Sequence, residues 1–327
     1  MVTKGPLPER FRYRHYGLTI EVSQPLPKLA EVDVDPVDVR VEVVPPDVVA
    51  ESDRRWIPVS PAVWRAEAAD GSWLKVRYSY RDAWAEFVMD GRGDSVWVSR
   101  SSGVAISDLA ELLLGPMFSC LASQRGLTCL HGAVVRVCDR VVVVAGPSGA
   151  GKSTTALGLV RWGDGLLISD DVAVLSERDG RVVTATGAPR IRMRSGPVIA
   201  LLEDFDSLDP VWEDRHPEPK RYLPVENAAA NRSDEFFPVD AIYFLAAWTN
   251  ELAEPLIRKL PPAQALLMLM AQRHVLEAVA NSAERRDLEL LAQLIRTASV
   301  RELVRPEGLE TTEQSVVTLI SDVRTLP

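Results

Sequence analysis

The chain has 327 residues, 46% of them hydrophobic and 25% charged, and its formal net charge is −9. This length is about twice that of a typical single domain, so we expect two packed units, and the composition excludes a fibrous or disordered chain. The acidic balance opposes broad binding of DNA or RNA, which requires an extended cationic face, so no nucleic acid is expected among the partners.

The amino-terminal residues and the cysteines indicate the cellular compartment. The start lacks the apolar core of a signal peptide, and no stretch reaches the roughly 18 uninterrupted apolar residues of a membrane-spanning helix. The three cysteines, Cys120, Cys129 and Cys138, show no CxxC spacing, and their odd number fits reduced thiols that pack as small buried hydrophobes. We therefore expect a cytoplasmic protein without a membrane partner.

Residues 1–105 are predicted to form a β-rich amino-terminal domain. Alternating apolar side chains separated by proline-rich breaks indicate short strands, and Asp90-Gly91 marks a hairpin turn. The segments with this pattern are FRYRHYGLTIEV, VDVRVEVV, LKVRYSY, WAEFVM and SVWVSR. The pattern predicts a mainly antiparallel sheet.

Residues 106–126 are predicted to form a connecting helix that is kinked at Gly115-Pro116. From residue 127 the order becomes strand, strand, glycine loop, helix, strand and hairpin, which is the start of an α/β core. Later segments such as PPAQALLMLMAQRHVLEAVA place apolar residues at helical spacing. The predicted fold is therefore an α/β nucleotide-binding core with carboxyl-terminal helices over residues 127–327, in a chain that is α+β overall.

A glycine-rich turn follows the segment VVVVA, which has the composition of a buried parallel strand, and precedes a predicted helix. The turn GPSGAGKS satisfies the GxxxxGK[ST] pattern of a phosphate-binding loop at every required position. Its candidate nucleotide-binding residues are Gly146, Ser148, Gly149, Ala150, Gly151, Lys152, Ser153 and Thr154. Lys152 would reach the β- and γ-phosphates, and Ser153 would place its hydroxyl on Mg²⁺. A chance glycine turn with an exposed lysine is the alternative, but the flanking strand and helix favour nucleotide binding.

Two adjacent carboxylates, Asp170 and Asp171, end the next predicted strand, LLISDD, beside the loop. Ligands of α/β sheets gather at such strand ends. One carboxylate would hold Mg²⁺, and the other, pointing to the opposite side because strand side chains alternate, would accept a proton from an attacking hydroxyl. A solvated acidic pair is the alternative without catalytic role. The residues alone do not assign the two roles.

The ordered set of His131-Gly132, the loop GPSGAGKS and the pair Asp170-Asp171 resembles the catalytic domain of the HPr kinase/phosphorylase family. The resemblance covers about residues 127–194 and implies a P-loop kinase that transfers phosphate from ATP to a protein serine. It further implies that Lys152 and Ser153 serve the phosphates and the metal, that Asp170 binds Mg²⁺, that Asp171 is the base, and that His131 lines the reaction centre. The parent family forms hexamers, which implies a homo-oligomer.

Two departures from that family's pattern concern its other activity. Thr154 stands where the bifunctional enzymes have glutamate, and their second glycine-rich signature is not found downstream, so neither phosphorylase activity nor HPr as a substrate is implied. The segments YGLTIEVSQPLPKL, KRYLPV and PVDAIYFLAAW resemble a divergent branch from peptide biosynthetic clusters, including those of lasso peptides. This second resemblance implies a precursor peptide as partner, phosphorylated at a serine that is typically carboxyl-terminal.

Several cations are candidates for contact with phosphate or substrate. Lys220 and Arg221 of KRYLPV could contact nucleotide phosphates or the carboxylate of a peptide. Arg190, Arg192 and Arg194 alternate in PRIRMR and would share one face of a strand, with Arg192 preferred because it is central. A solvated basic face is the alternative.

Three functions remain open from the sequence. The first is a serine kinase acting on a peptide, with peptide recognition by the β-rich domain as a further hypothesis. The second is a nucleotide-dependent binding or chaperone module that hydrolyses or only binds ATP, and the third is a small-molecule kinase. A phosphate loop is common to all three and does not choose among them.

Overall fold

The structure is a computed structural model that describes residues 9–327 apart from 28, 46–53, 189, 203, 213–218, 226–228 and 230–234. It divides into two compact units. The first contains the chain up to Arg125 together with Leu276–Asn281, and the second contains Gly126–Val275 and Ser282–Pro327. The segment 106–126, predicted as a connecting helix, is thus grouped with the first unit as far as Arg125.

The first unit contains, in its described part, an eight-stranded sheet with the order β1-β2-β3-β8-β7-β6-β5-β4. Its strands are β1 (Phe11–His15), β2 (Leu18–Val22), β3 (Val39–Val43), β4 (Ile57–Ser60), β5 (Val63–Ala68), β6 (Gly71–Tyr80), β7 (Ala83–Met89) and β8 (Ser95–Arg100). Most neighbours are antiparallel as predicted, but β3 runs parallel to both β2 and β8. A parallel pair needs a long crossover, which the chain between Val22 and Val39 supplies.

A helical segment follows this sheet from Ile106 to Gln124. It comprises α1 (Ile106–Leu112), a π-helical turn (Leu113–Met117) that contains Gly115-Pro116, and α2 (Phe118–Gln124). The predicted kink therefore takes the form of a π turn, because Pro116 lacks an N–H for a regular helical bond. The segment is long and apolar enough to span a membrane, yet most of it is buried within the structure. Such burial is typical of a core helix.

The second unit contains a nine-stranded mixed sheet in the part that the structure describes. Its strands are β9 (Thr128–Val137), β10 (Arg140–Ala145), β11 (Leu166–Ser169), β12 (Val172–Arg178), β13 (Arg181–Ala185), β16 (Phe236–Pro238), β17 (Ala241–Thr249), β18 (Leu256–Lys259) and β19 (Ser299–Pro306). The order is β16-β13-β12-β9-β10-β17-β19-β18, and β11 pairs with β9. A separate two-stranded sheet is formed by β14 (Arg190–Arg194) and β15 (Lys220–Pro224).

Helices cover both faces of the nine-stranded sheet. They are α3 (Lys152–Gly163), α4 (Ser195–Leu202), α5 (Pro262–Ala271), α6 (Glu277–Thr297) and α7 (Thr312–Val323). Val142 and Val144 of β10 belong to a core with residues of α3 and α7, whereas Val141 and Val143 belong to a second core with residues of α5 and α6. Burial on both faces explains the uninterrupted valines of β10.

Three local predictions are corrected by the structure, whereas β10 is a buried strand parallel to β17 as predicted and also pairs antiparallel with β9. The strand predicted over LLISDD ends at Ser169, before the two aspartates, and β12 starts at Val172, since Asp171 has a left-handed φ of 75°. The continuous helix predicted over PPAQALLMLMAQRHVLEAVA ends at Ala271 and restarts at Glu277. Cys138 is exposed, unlike Cys120 and Cys129.

Candidate active site

The phosphate loop lies between the carboxyl end of β10 and the start of α3, as predicted from the motif. Gly146, Gly149 and Gly151 have φ values of 146°, 80° and 89°, a region that side-chain-bearing residues rarely adopt. A Cβ on Gly146 would in addition lie 3.1 Å from the carbonyl oxygen of Leu245. The three glycines therefore let the backbone curl ahead of the helix amino terminus, the local geometry that favours a bound phosphate.

Lys152 is folded over this loop. Its Nζ donates hydrogen bonds to the carbonyl oxygens of Gly146, at 2.8 Å, and Pro147, at 2.9 Å. Burial lowers the pKa of Lys152, while the carboxylates of Asp171 and Asp170 partly offset that effect. The ammonium group is thus held at the mouth of the loop by groups that a phosphate would replace as hydrogen-bond acceptors.

Asp170 is placed against the start of α3. Its Oδ1 accepts a hydrogen bond from the Ser153 hydroxyl at 2.8 Å, and its Oδ2 accepts one from the backbone N–H of Arg192 at 3.1 Å. Burial, followed by the charge of Asp171, raises the pKa of Asp170. Among the described residues no cationic side chain lies at hydrogen-bond distance from this buried carboxylate, in keeping with a group that receives a cation.

The Ser153 and Asp170 oxygens suit Mg²⁺, which takes one or two protein oxygens and keeps water and phosphate as its other ligands. Among the described residues there is no cluster of three or more His, Cys, Asp or Glu side chains that could hold a metal ion without phosphate. This donor set fits a magnesium ion that arrives with a nucleotide.

Asp171 faces a different environment from Asp170. Its Oδ2 lies 3.3 Å from Nη2 of Arg192, and its Oδ1 lies 3.5 Å from Nδ1 of His131. Burial acts to raise the pKa of Asp171, but the charges of Arg192, His131 and two further cations outweigh it and hold the pKa below its usual range. Two adjacent carboxylates whose pKa values are pushed in opposite directions are suited to different roles.

His131 lies on β9, opposite Val172 of β12, and its position next to Gly132 brings it to the edge where β10 ends. Its Nδ1 contacts the backbone oxygen of Asp171 at 2.9 Å. Because a carbonyl oxygen only accepts, Nδ1 carries the hydrogen in this contact. His131 is thereby fixed to the same residue whose carboxylate is the candidate base.

Sequence reasoning missed His274, which lies in the break between α5 and α6. Its ring stacks on that of His131, with 5.3 Å between centroids and 26° between planes. The backbone also holds His274 against β9, since the His274 N–H donates a hydrogen bond to the carbonyl oxygen of Cys129 at 2.8 Å. Burial lowers the pKa of His274. The segment was predicted as continuous helix, and this concealed the ring's position.

The strands β14 and β15 distribute the candidate cations over two faces. Arg192 pairs with Tyr222 in the register, and Arg194 pairs with Lys220, so Arg190, Arg192, Arg194 and Lys220 share one face. Arg192 contacts Asp171, and the charge of Lys220 helps to lower the pKa of Asp171. Arg221 is on the opposite face, where its guanidinium lies 5.3 Å from the centre of the Phe205 ring. The structure thus brings Arg192 and Lys220, but not Arg221, toward the two aspartates.

Comparison with known proteins identifies relatives over part of the chain, although no protein-family model matches it. The chain is similar to HPr kinase/phosphorylases. Two curated relatives from Clostridium botulinum, strains Alaska E43 and Eklund 17B, are 35% and 36% identical over 102 and 98 residues. These matches cover 31% and 30% of this chain and 32% and 31% of the relatives. A relative from Clostridium beijerinckii is 31% identical over 98 residues, or 30% of this chain and 31% of its own.

The chain therefore spans about a third of the length of the curated relatives it matches. Among solved structures, the Hpr(Ser) kinase/phosphatase from Coxiella burnetii matches with a TM-score of 0.31 and 12% identity, over 60% of this chain and 97% of that chain. The sequence similarity is thus to a kinase family and concerns part of the molecule.

The raised pKa of Asp170 gives a testable pH dependence of stability. A group whose folded pKa exceeds its unfolded value contributes stability at low pH and loses it as pH rises through the folded pKa. Asparagine at this position does not titrate, so the thermal midpoint of Asp170→Asn minus that of the parent should become more positive from about pH 4 to pH 7. The imperfect hydrogen bonding of the amide only adds a pH-independent offset.

Scanning calorimetry of the nucleotide-free protein at several pH values measures this difference directly. Asp179→Asn, at an exposed turn with a left-handed φ of 49°, is the matched control for the same change of side chain. A midpoint difference that becomes more negative as the pH rises would show that the folded protein favours the ionised form of Asp170.

Proposed function

We propose that this protein is an ATP- and Mg²⁺-dependent kinase that transfers the γ-phosphate to the serine hydroxyl of a peptide. The observation that carries the proposal is the placement of two carboxylates with opposed pKa shifts beside the loop lysine, Asp170 against Ser153 and Asp171 against His131 and Arg192. An ATPase can use a second carboxylate to position water, so the choice of a hydroxyl acceptor rests on the similarity of part of this chain to HPr kinase/phosphorylases.

The residues have distinct tasks in this proposal. The loop N–H groups and Lys152 bind the phosphates, and Ser153 and Asp170 would hold Mg²⁺, which when bound neutralises charge on the phosphate oxygens. Asp171 is ionised at neutral pH because its pKa is lowered, so its carboxylate is ready to accept the proton of the acceptor hydroxyl. His131 and Arg192 fix the direction of that carboxylate.

The cationic face of β14 and β15 supports an anionic acceptor. Arg192 and Lys220 share this face and lie toward Asp171, on a chain whose overall charge is −9. A carboxylate near the acceptor serine would be attracted to these cations. The resemblance of the chain to kinases of peptide biosynthetic clusters adds a specific candidate, the carboxyl-terminal serine of a lasso-peptide precursor.

The acceptor is tested by incubating the purified full-length protein with ATP, Mg²⁺ and a peptide that ends in serine, followed by mass spectrometry. We expect one added phosphoryl group on that peptide, no addition when the last residue is alanine, and a weaker reaction when the terminal carboxylate is amidated. Candidate hydroxylated metabolites are included in parallel. Phosphate on a metabolite only would identify a small-molecule kinase instead of a peptide kinase. ATP hydrolysis without a phosphorylated acceptor would identify a nucleotide-dependent binding module.

A further inference from the structure

The carboxyl ends of β17 and β19 lie on the side of the phosphate loop away from the two aspartates. In the sheet order, β10 has β9 on one side and β17, then β19, on the other. His131 lies on β9, and Asp170 and Asp171 follow β11, which pairs with β9. Because β17 and β19 run parallel to β10, their carboxyl ends reach the same edge as the loop. This edge is where α/β sheets bind their ligands.

A nucleotide bound to the loop must place its γ-phosphate and its nucleoside on different sides of β10. Its γ-phosphate belongs beside Asp170 and Asp171 on the β9 side, since the reaction centre is there. The nucleoside end then extends toward β17 and β19 along the same sheet edge. Two side chains meet at that point, because Trp248 of β17 and Arg305 of β19 are register partners.

Arg305 is a buried cation. Only 3% of the residue is exposed, and its Nη2 donates to the backbone oxygens of Ala150, at 2.7 Å, and Ala246, at 3.0 Å. No carboxylate in the described part of the chain lies within ion-pair distance of its guanidinium, and burial lowers the pKa of Arg305 to about 10. A buried charge without a counter-charge is unfavourable, so an anion bound next to the loop would provide the negative charge that Arg305 needs.

A small cavity, about the size of one water molecule, adjoins this guanidinium. It is lined by Gly151, Thr154, Thr155, Trp248, Arg305, Thr312 and Ser315, which include the first turns of α3 and α7. The Thr312 hydroxyl belongs to a residue that is 6% exposed, and within the described part of the chain neither this hydroxyl nor Nε of Arg305 has a hydrogen-bond partner. Buried polar groups are nearly always paired, so these two atoms indicate a bound water or a ligand atom at this place.

Trp248 provides an apolar surface beside the same cavity. Its indole is half-buried, and the Arg305 guanidinium lies 4.6 Å from the ring centre. The ring also approaches the loop, since its Cζ2 is 4.0 Å from the position of a Cβ on Gly151. An aromatic ring beside a buried cation suits a ligand that combines a flat base with a phosphate.

We propose that the cleft formed by Trp248, Arg305, Thr154 and Thr312 binds the nucleoside end of the nucleotide. Arg305 provides positive charge for the phosphate next to the sugar, and Trp248 provides the surface against which the sugar and base lie. The inference rests on the proposed function in two respects, that the phosphate loop binds a nucleoside triphosphate and that the γ-phosphate lies on the side of Asp170 and Asp171. It assigns two residues that the loop motif does not contain.

The test compares a ligand that has a nucleoside with one that lacks it. Dissociation constants of ATP and of tripolyphosphate, both with Mg²⁺, are measured by calorimetry for the full-length parent protein and for Trp248→Ala. We expect the variant to bind ATP about tenfold more weakly, the size of a lost aromatic stacking contact, and to bind tripolyphosphate within about twofold of the parent. Trp248→Phe, which retains an aromatic ring, should bind ATP nearly as the parent does.

Trp84→Ala is the matched control, because Trp84 is also half-buried and also packs against a guanidinium, that of Arg77 at 4.4 Å. It should leave both dissociation constants unchanged. Trp248→Leu, which keeps apolar bulk, repeats the measurement if the alanine variant does not fold.

Two results would overturn the inference. Equal weakening of ATP and tripolyphosphate would mean that Trp248 only supports the loop, and unchanged affinity for both would mean that the nucleoside lies elsewhere. The failure of the proposed function would look different, because the parent protein would then bind neither ligand or would bind both and phosphorylate no acceptor.

Discussion

Lys152→Ala should reduce phosphate transfer by about 10³-fold, comparable to the loss of a preorganised charged donor in other active sites. The reason is that Lys152 is the cation held at the mouth of the loop, where its Nζ contacts the Gly146 and Pro147 carbonyls that line the phosphate site. No second lysine occupies the motif, since the loop is GPSGAGKS. Initial rates of transfer from radiolabelled ATP measure the loss.

Lys152→Met is the matched variant for this prediction, because it retains the unbranched stem and removes only the charge. Both variants should remain folded, since burial lowers the pKa of Lys152 and removal of the charge relieves part of the cost of burying it. The two lost hydrogen bonds limit the change in stability to roughly 1–2 kcal/mol. Transfer within about tenfold of the parent rate in either variant would contradict the role of Lys152 in phosphate binding.

The phosphate loop could be predicted from the sequence because its geometry is encoded locally. Gly146, Gly149 and Gly151 adopt left-handed φ values that their lack of a side chain permits, and the valines of β10 are buried on both faces as their composition indicates. The proximity of Ser153 and Asp170 could also be inferred, since both follow elements whose ends meet at one edge of the sheet.

The remaining residues of the site are set by strand order and by breaks in local structure. His274 enters the site because α5 stops at Ala271, and helical periodicity gives no sign of that break. Trp248 and Arg305 become neighbours only because β17 pairs with β19, although 56 residues separate the two in the chain, counting from 249 to 304. Such pairings depend on tertiary packing, and propensity and periodicity do not report them.

The separation of the two aspartates illustrates the same limit. Alternation along a strand predicts that adjacent side chains point to opposite faces, and Asp170 and Asp171 do have different partners. The physical cause is a turn between β11 and β12, where Asp171 takes a φ of 75°. Strain of this kind at a non-glycine residue is maintained by surrounding contacts, here the bonds of its backbone oxygen to Gly132 and His131.

Asp171→Asn should lower the rate of phosphate transfer by about 10²–10⁴-fold, the usual contribution of a positioned general base. Its effect on nucleotide affinity should be small, because Ser153 and Asp170, not Asp171, form the oxygen pair at the start of α3.

Asp170→Asn should instead lose Mg²⁺-dependent nucleotide binding. Single-turnover rates and nucleotide dissociation constants separate the two variants, and equal loss of affinity in both would assign Asp171 to the metal instead.

The pH profile of transfer distinguishes a base from a residue that only shapes the site. The pKa of Asp171 is raised by burial and lowered more strongly by cations, of which Arg192 has the largest effect. In the parent the carboxylate therefore stays ionised to a pH below the ordinary carboxyl range of about 4, and the rate should not fall above that pH through protonation of Asp171. In Arg192→Met the burial effect is opposed only by the smaller contributions of His131, His274 and Lys220, so the pKa rises and the acid side of the profile moves to higher pH. If the rate of Arg192→Met is lower at every pH and the acid side of the profile does not shift, Arg192 binds substrate and the ionisation of Asp171 does not limit the reaction.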